Sequence, residues 1–239
     1  MDTSFPTGAE AEELPLEALA LRLLAHIASK QQGAHQRPLY VNADVLQKHV
    51  GNADMFRYQR AMQESWDWLR TNGLLSLADP KQQGSDFAFV TRMGGAALED
   101  GGLARIAAQR RLGVDMHPLI AGRVRQQFVL GEYELAAIAA LREVEIRVRE
   151  LAGASESDIG VRLMGEAFKP SGVLHDPGLD KGESEAIMAL FRGAIGVFKN
   201  PSSHRQVEFD DPTEASEVIL LADLLLRMLD RIEQRKRPT

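Results

Sequence analysis

The segment 213–234 carries Val218, Leu221, Leu225, Met228 and Ile232 at alternating spacings of three and four. That spacing puts all five on one side of an α-helix and obliges the helix to bury them against its neighbours. Leu220 and Leu224 widen the stripe and leave an apolar face for a partner subunit. Segment 133–151 is built the same way: Leu135, Ile138, Ala139, Leu141, Ile146, Val148 and Leu151 alternate with charged residues. Arg142, Glu143, Glu145, Arg147 and Arg149 are spaced for i, i+4 ion pairs along it. Two such helices predict a helical bundle for the second half of the chain.

Between them lies 190–205, LFRGAIGVFKNPSSHR. Leu190, Phe191, Ala194, Ile195, Val197 and Phe198 are apolar at helical spacing. Gly193 and Gly196 would let another element approach, since an interior helix glycine otherwise costs about 1 kcal/mol. The helix is expected to end or bend at Asn200, because a residue before proline is pushed out of the helical region. Pro201 can then open a new turn, where its missing N–H costs nothing. Lys199, Asn200 and His204 are thereby set around one helix junction. Two readings of that spacing stand side by side. One is a proline-opened helix start with a surface histidine. The other is a phosphodiester-cleaving site, in which His204 moves protons near neutral pH. Lys199 would hold a phosphate whose charge grows in the transition state, and Asn200 would orient it.

The stretch resembles the signature of HEPN domains, a basic residue followed after four to six positions by histidine, often with asparagine directly after the basic residue. More narrowly, the chain from about residue 116 onward resembles the bacterial Ymh (abortive-infection-like) C-terminal domain. The matching pieces are HPLIAGRVRQQFVLGEYELAAIAALREVEIRVREL, GVRLMGEAF, LFRGAIGVFKNPSSHR and a closing leucine-rich helix. The usual arginine of the signature is Lys199 here, which keeps the charge and loses the planar fork. The resemblance implies a metal-independent endoribonuclease acting in phage defence, toxin–antitoxin pairs or abortive infection. By the same resemblance His204, Lys199 and Asn200 are the catalytic set. The charges of segment 133–151 have a second use beside ion pairing, in which Glu145 or Arg149 faces the His204 cleft and orients it, as Arg192 and Arg205 could. RNA carries its own nucleophile, so the protein supplies only proton transfer and charge stabilisation. One His204 offers one proton-transfer group where cleavage needs a base and an acid. A homodimer through the C-terminal helical domain is therefore expected, bringing two copies together.

The first hundred residues read differently. An amphipathic helix over 16–29 is followed by a loop, QQGAHQRP, and a short helix, 45–50, capped by Asn42 or Asp44 and closed by Gly51. A longer helix, 54–72, has Met55, Met62, Trp66 and Leu69 as its buried stripe. Two short strands, LLSLA and FAFVT, follow, joined by a turn-rich DPKQQGSD. Three helices and a hairpin are the order of a winged helix-turn-helix, whose third helix enters the major groove. Arg57, Tyr58, Gln59, Arg60 and Gln63 would be its exposed readers of DNA, with protein contact as the other use of such a fold. Residues 1–100 carry 9 Lys and Arg against 13 Asp and Glu. Neither half offers the basic excess that drives non-specific nucleic-acid binding.

The expected architecture is mainly α: a winged helix-turn-helix (three helices plus a β-hairpin), then an α-helical HEPN-like bundle. The boundaries are a flexible N-terminus over 1–15, the winged-helix-like domain over 16–100, a linker helix over 101–115 and the HEPN/Ymh-like domain over 116–239. The function expected is that of an RNA-cleaving effector. The alternatives are a DNA-binding regulator that dimerises through the helical domain, or a catalytically silent binding domain. The chain has no cysteine, which excludes disulfides and thiolate chemistry. Its six histidines stand singly, at 26, 35, 49, 117, 175 and 204, so no metal and no cofactor are expected. His175 sits in a long turn-rich loop, KPSGVLHDPGLDKGES, of the kind that is often functional. The acidic N-terminus and the lack of a long apolar run lead to the expectation of a cytoplasmic protein without a membrane span.

Overall fold

The computed structural model describes residues 2–30, 35–77, 87–113, 115–199 and 211–236. They are mainly helical and divide into two compact units, Met1–Ile106 and Ala107–Thr239. Among the described residues no helix is long and apolar enough to cross a membrane.

The first unit opens with α1 (Gly8–Glu13) and α2 (Leu16–Ser29). Strand β1 (His35–Gln36), α3 (Pro38–Val41) and α4 (Ala43–Leu46) follow, then α5 (Met55–Thr71), β2 (Leu75–Leu77), β3 (Phe87–Val90) and α6 (Arg92–Ala97). Helix α7 (Gly102–Arg111) spans the division between the units. Asp54 starts α5 by accepting the Arg57 N–H at 2.9 Å, a side-chain cap that satisfies one orphan donor of the first turn. At the other end Gly73, at φ +71, turns the chain into β2. Ala20, Leu23, Leu24 and Ile27 of α2 share one core with Tyr58, Met62, Trp66 and Leu69 of α5.

The sheet has the order β1-β3-β2, antiparallel throughout, with His35 opposite Ala88 and Ser76 opposite Phe89. His35–Gln36 was expected in a loop. Its pairing with the middle strand makes it a third strand, which two residues are too short to announce by periodicity. The helix expected over 45–50 is one turn, Ala43–Leu46, preceded by Asn42 as its first non-helical residue.

The second unit contains α8 (Pro118–Ala121), α9 (Arg123–Val129), α10 (Tyr133–Ala152), α11 (Gly160–Phe168), α12 (Lys181–Ala194) and α13 (Pro212–Lys236). A π-helical turn, Ile195–Lys199, continues α12. The single helix expected from Pro118 to Val129 is broken at Gly122, whose φ −82 and ψ −83 leave the helical region. Helices α10 and α13 pack along each other. Helix α10 offers Ala136, Ala137, Ala140, Leu141, Val144 and Val148, and α13 offers Val218, Ile219, Ala222, Leu225, Leu226 and Leu229. Small residues on both sides let the backbones approach, and each fully buried Leu or Val contributes about 1.5–3 kcal/mol. The buried face differs from the expected stripe: Leu135 is exposed, and Leu221 and Met228 are only partly buried. Alanine at three positions of α10 rotates the contact toward the alanine side, which a search for large apolar residues overlooks.

Candidate functional site

The site is assembled on the C-terminal end of α12. That helix begins with a capping box, in which the Asp180 carboxylate accepts the Glu183 N–H at 2.9 Å and the Glu183 carboxylate accepts the Asp180 N–H. Phe191, Ala194 and Ile195 anchor its far end in the core, Phe191 stacked on Phe168 at 4.4 Å between centroids. Instead of ending, the helix widens into the π-helical turn Ile195–Lys199, a geometry that is rare and concentrated at functional sites. A Cβ on Gly196 would lie 3.2 Å from Val161 Cγ2, so this glycine does admit the neighbouring α11. Gly193 faces open space and has no such role.

The turn delivers Lys199 to Glu145 in the middle of α10. Lys199 Nζ donates to Glu145 Oε2 at 2.9 Å, and Arg149 Nη2 donates to Glu145 Oε1 at 3.1 Å. The Gly160 N–H, at the start of α11, donates to Glu145 Oε2 at 2.7 Å. Gly160 sits at φ +64, a left-handed conformation that glycine adopts without strain. Arg149 Nε in turn donates to the Asp158 carbonyl at 3.0 Å. Glu145 is only 4% exposed. Burying a carboxylate costs several kcal/mol, here offset by two cations and an amide N–H aimed at its oxygens. One acidic side chain thus ties α10, the start of α11 and the end of the π-helical turn to a common point.

Three of the residues singled out in the sequence, Lys199, Glu145 and Arg149, are therefore brought together. Arg192 is exposed, with its side chain over Gly165 of α11, and forms no ion pair among the described residues. Asn200, His204 and Arg205 lie outside the described residues.

A second polar cluster was missed by sequence reasoning. His117 is 7% exposed and caps α8, its Nδ1 accepting the Leu119 N–H at 3.3 Å. That assigns the ring proton to Nε2, which donates to Asp230 Oδ2 at 2.9 Å. The His117 backbone N–H donates to Asp223, which also accepts from Arg227 at 2.7 Å. Arg147 of α10 joins Glu233 at 2.7 Å. The cluster pins the start of α8 to the length of α13. Its sequence signal was a polar residue directly before a proline-opened helix, the place where a cap is needed.

In the first unit, Arg57 and Arg60 of α5 are exposed, and Arg60 pairs with Glu64 at 3.0 Å. Gln59 is half-buried and donates to the Val41 carbonyl at 3.1 Å. Tyr58 does not belong to the open face. It is 1% exposed, its hydroxyl donates to the Pro6 carbonyl, and burial pushes its phenol well above the ordinary range. A tyrosine four residues before Met62 falls on the core side of α5, which the choice of polar-tipped readers ignored.

Residues 114–229, just under half of the chain, match the model of a family described as a protein of unknown function, Hypoth_ymh. The C-terminal unit thus carries a Ymh-type domain. No curated protein and no solved structure matches the chain.

Proposed function

We propose that this Ymh-type domain is a ribonuclease module of the HEPN kind, and that the chain is a metal-independent endoribonuclease effector of a bacterial defence or toxin-type system. The reading is supported above all by the seating of Lys199. A π-helical turn carries Lys199, whose one-fifth-exposed side chain is held by the buried Glu145, and Asn200 to His204 follow it in the sequence. A cation so anchored is preorganised and loses little freedom when it meets a phosphate.

In the proposed reaction an imidazole of His204 takes the proton of an RNA 2′-hydroxyl. The oxygen attacks the adjacent phosphorus, and the bond to the 5′-oxygen breaks. The second His204 of a two-fold dimer gives a proton to that leaving oxygen. The products are a 2′,3′-cyclic phosphate and a 5′-hydroxyl, with no net change in protons. Lys199 stabilises the negative charge on the phosphoryl oxygens, and Asn200 positions the phosphate.

The deciding experiment is RNA cleavage by purified wild type against His204→Ala. Loss of a general acid–base group lowers the rate about 10²- to 10⁴-fold. The variant is expected to lose cleavage with an unchanged melting temperature, and equal activity would refute the assignment. Lys199→Arg is expected to retain or raise activity, because guanidinium grips phosphate bidentately.

A second reading is favoured by the first unit. Its helix–strand–helices–hairpin order, with the sheet arranged β1-β3-β2, suits a winged helix-turn-helix, and Arg57 and Arg60 stand on the open side of α5. In that reading the protein is a DNA-binding regulator dimerised through its helical domain. Failure of the wild type to cleave any RNA, together with salt-sensitive binding of duplex DNA, would select it.

A further inference from the structure

Strand β3 is the middle of the three-stranded sheet, and its side chains alternate between the two faces. Ala88 belongs to the core of the first unit, whereas Phe87 and Phe89 are 40% and 42% exposed on the opposite face. Across the ladder Ser76 of β2 stands opposite Phe89, and Gln36 of β1 stands opposite Phe87. Both polar residues are exposed. Opposite residues of an antiparallel pair share a face, with Cβ atoms about 4.5–5.5 Å apart. A sheet that covers its aromatic rings sets them beside other rings or branched side chains. This one gives each ring a polar neighbour, and so presents two aromatic rings, each beside a hydrogen-bonding group.

The charge bordering this face favours an anionic partner. The stretches 35–38, 70–77 and 87–92, which form and flank the strands, contain Arg37, Arg70 and Arg92 and no acidic residue. Arg70 shares with Ser76 an open hollow of about 560 Å³ beside β2. Asp67 of α5 also lines that hollow, and it is answered by Arg37 at 3.5 Å. Arg70 and Arg92 are exposed and form no ion pair among the described residues.

We propose that this face binds single-stranded RNA, with two successive unpaired bases lying on Phe87 and Phe89. Residues i and i+2 of a strand are about 7 Å apart, twice the roughly 3.4 Å rise between stacked bases. The two rings therefore fit bases that are splayed apart. The loops and ends of RNA offer such bases, and a duplex does not. A hydroxyl and an amide, each able to donate and accept, stand beside the rings to meet the base edges. Arg70 and Arg92 meet the phosphates. The acidic balance of the first hundred residues leaves stacking, rather than phosphate neutralisation, as the main source of affinity. The proposal depends neither on cleavage at Lys199 nor on duplex reading by α5.

The test is fluorescence anisotropy of the full chain with end-labelled, 2′-O-methylated RNA octamers of uridine, adenosine and cytidine. Methylation removes the 2′-hydroxyl that cleavage needs, so the outcome is independent of nuclease activity. At least one octamer is expected to bind at submillimolar concentration. Phe87→Ala and Phe89→Ala should each weaken it about 5- to 150-fold, the worth of one base stack, with the circular dichroism spectrum unchanged. Phe89→Tyr should bind as the wild type does, and Phe89→Leu should not, because the ring rather than its apolar area is what the base meets. Arg70→Ala should reduce the slope of log K against log salt by about 0.7. Failure of all three octamers to bind would overturn the proposal. So would binding that both alanine variants or Phe89→Leu leave unchanged, a salt slope indifferent to Arg70→Ala, or equal binding of a duplex of the same length. A wild-type dimer that becomes monomeric in the double variant Phe87→Ala, Phe89→Ala would assign the face to a second copy of the chain and overturn it too.

Discussion

Lys199 and Glu145, 54 positions apart in the chain, meet at 2.9 Å between Nζ and Oε2, and the carboxylate is almost wholly enclosed. The pair joins a buried charge on α10 to the π-helical turn at the end of α12.

That pair makes Glu145 a stability determinant as well as a positioning residue. Breaking a buried ion pair from one side costs about 3–5 kcal/mol, because the other charge is left unanswered. Glu145→Ala is expected to lower unfolding stability by that amount in urea titrations. In a double-mutant cycle with Lys199→Met the two substitutions should couple by about 0.5–3 kcal/mol. Simple additivity would show that the two side chains act independently.

The dimer proposed for cleavage needs a surface, and α13 offers one. Leu220 and Leu224, one turn apart, are 36% and 48% exposed on the outer side of a helix whose inner side is fully packed. A specific dimer buries about 1,200 Å² or more. Light scattering at micromolar concentration should give twice the chain mass, falling to one chain in the double variant Leu220→Asp, Leu224→Asp, which should also lose RNA cleavage. A wild-type monomer that still cleaves RNA would exclude the two-copy mechanism.

In the first unit, burial holds the imidazoles of His26 and His35 below the ordinary histidine range, and in His26 it outweighs the opposing hydrogen bond donated to the Thr3 carbonyl at 3.0 Å. The folded state therefore binds protons less readily than the unfolded chain, and stability rises with pH across the window. The stabilisation is complete above the unfolded value of about 6.5 and is lost as pH falls below it toward the folded values. Both tryptophans, Trp66 and Trp68, lie on α5, so tryptophan fluorescence reports this unit. Its urea midpoint should be lower near pH 5.5 than near pH 7.5, and His26→Gln should reduce the difference. A midpoint that is flat across the range would contradict this.

The second reading, in which α5 binds DNA, can be tested apart from the packing of that helix. Replacing Arg57 and Arg60 with alanine should weaken binding of duplex DNA and reduce its salt slope by about one for each phosphate that is no longer neutralised. Tyr58→Phe should leave DNA binding alone and lower stability by about 0.5–1.5 kcal/mol, the worth of its hydrogen bond to Pro6. Binding that responds to Tyr58→Phe and ignores the arginines would reverse this division.

Local patterns settled a good deal in advance. The helix expected over 54–72 before Gly73 is α5 to within a residue at each end, and the periodicity over 133–151 gave α10 to within one residue. The helical character of the second half followed from the spacing of its leucines and valines, because helical period and capping act within a few residues. The same patterns misplaced the α10–α13 contact, since small alanines carry no hydrophobic signal until a second helix lies against them. They offered Glu145 and Arg149 as groups that could orient the His204 site and Lys199 as its phosphate holder, without joining the three to one another. Only the tertiary structure chose Glu145 for the interior, because the solvation lost by a buried carboxylate can be replaced only where Lys199, Arg149 and the Gly160 N–H arrive from three separate stretches of the chain. Tyr58 turned inward for a like reason: its hydroxyl finds the Pro6 carbonyl 52 positions away, a partner that no window along the sequence contains.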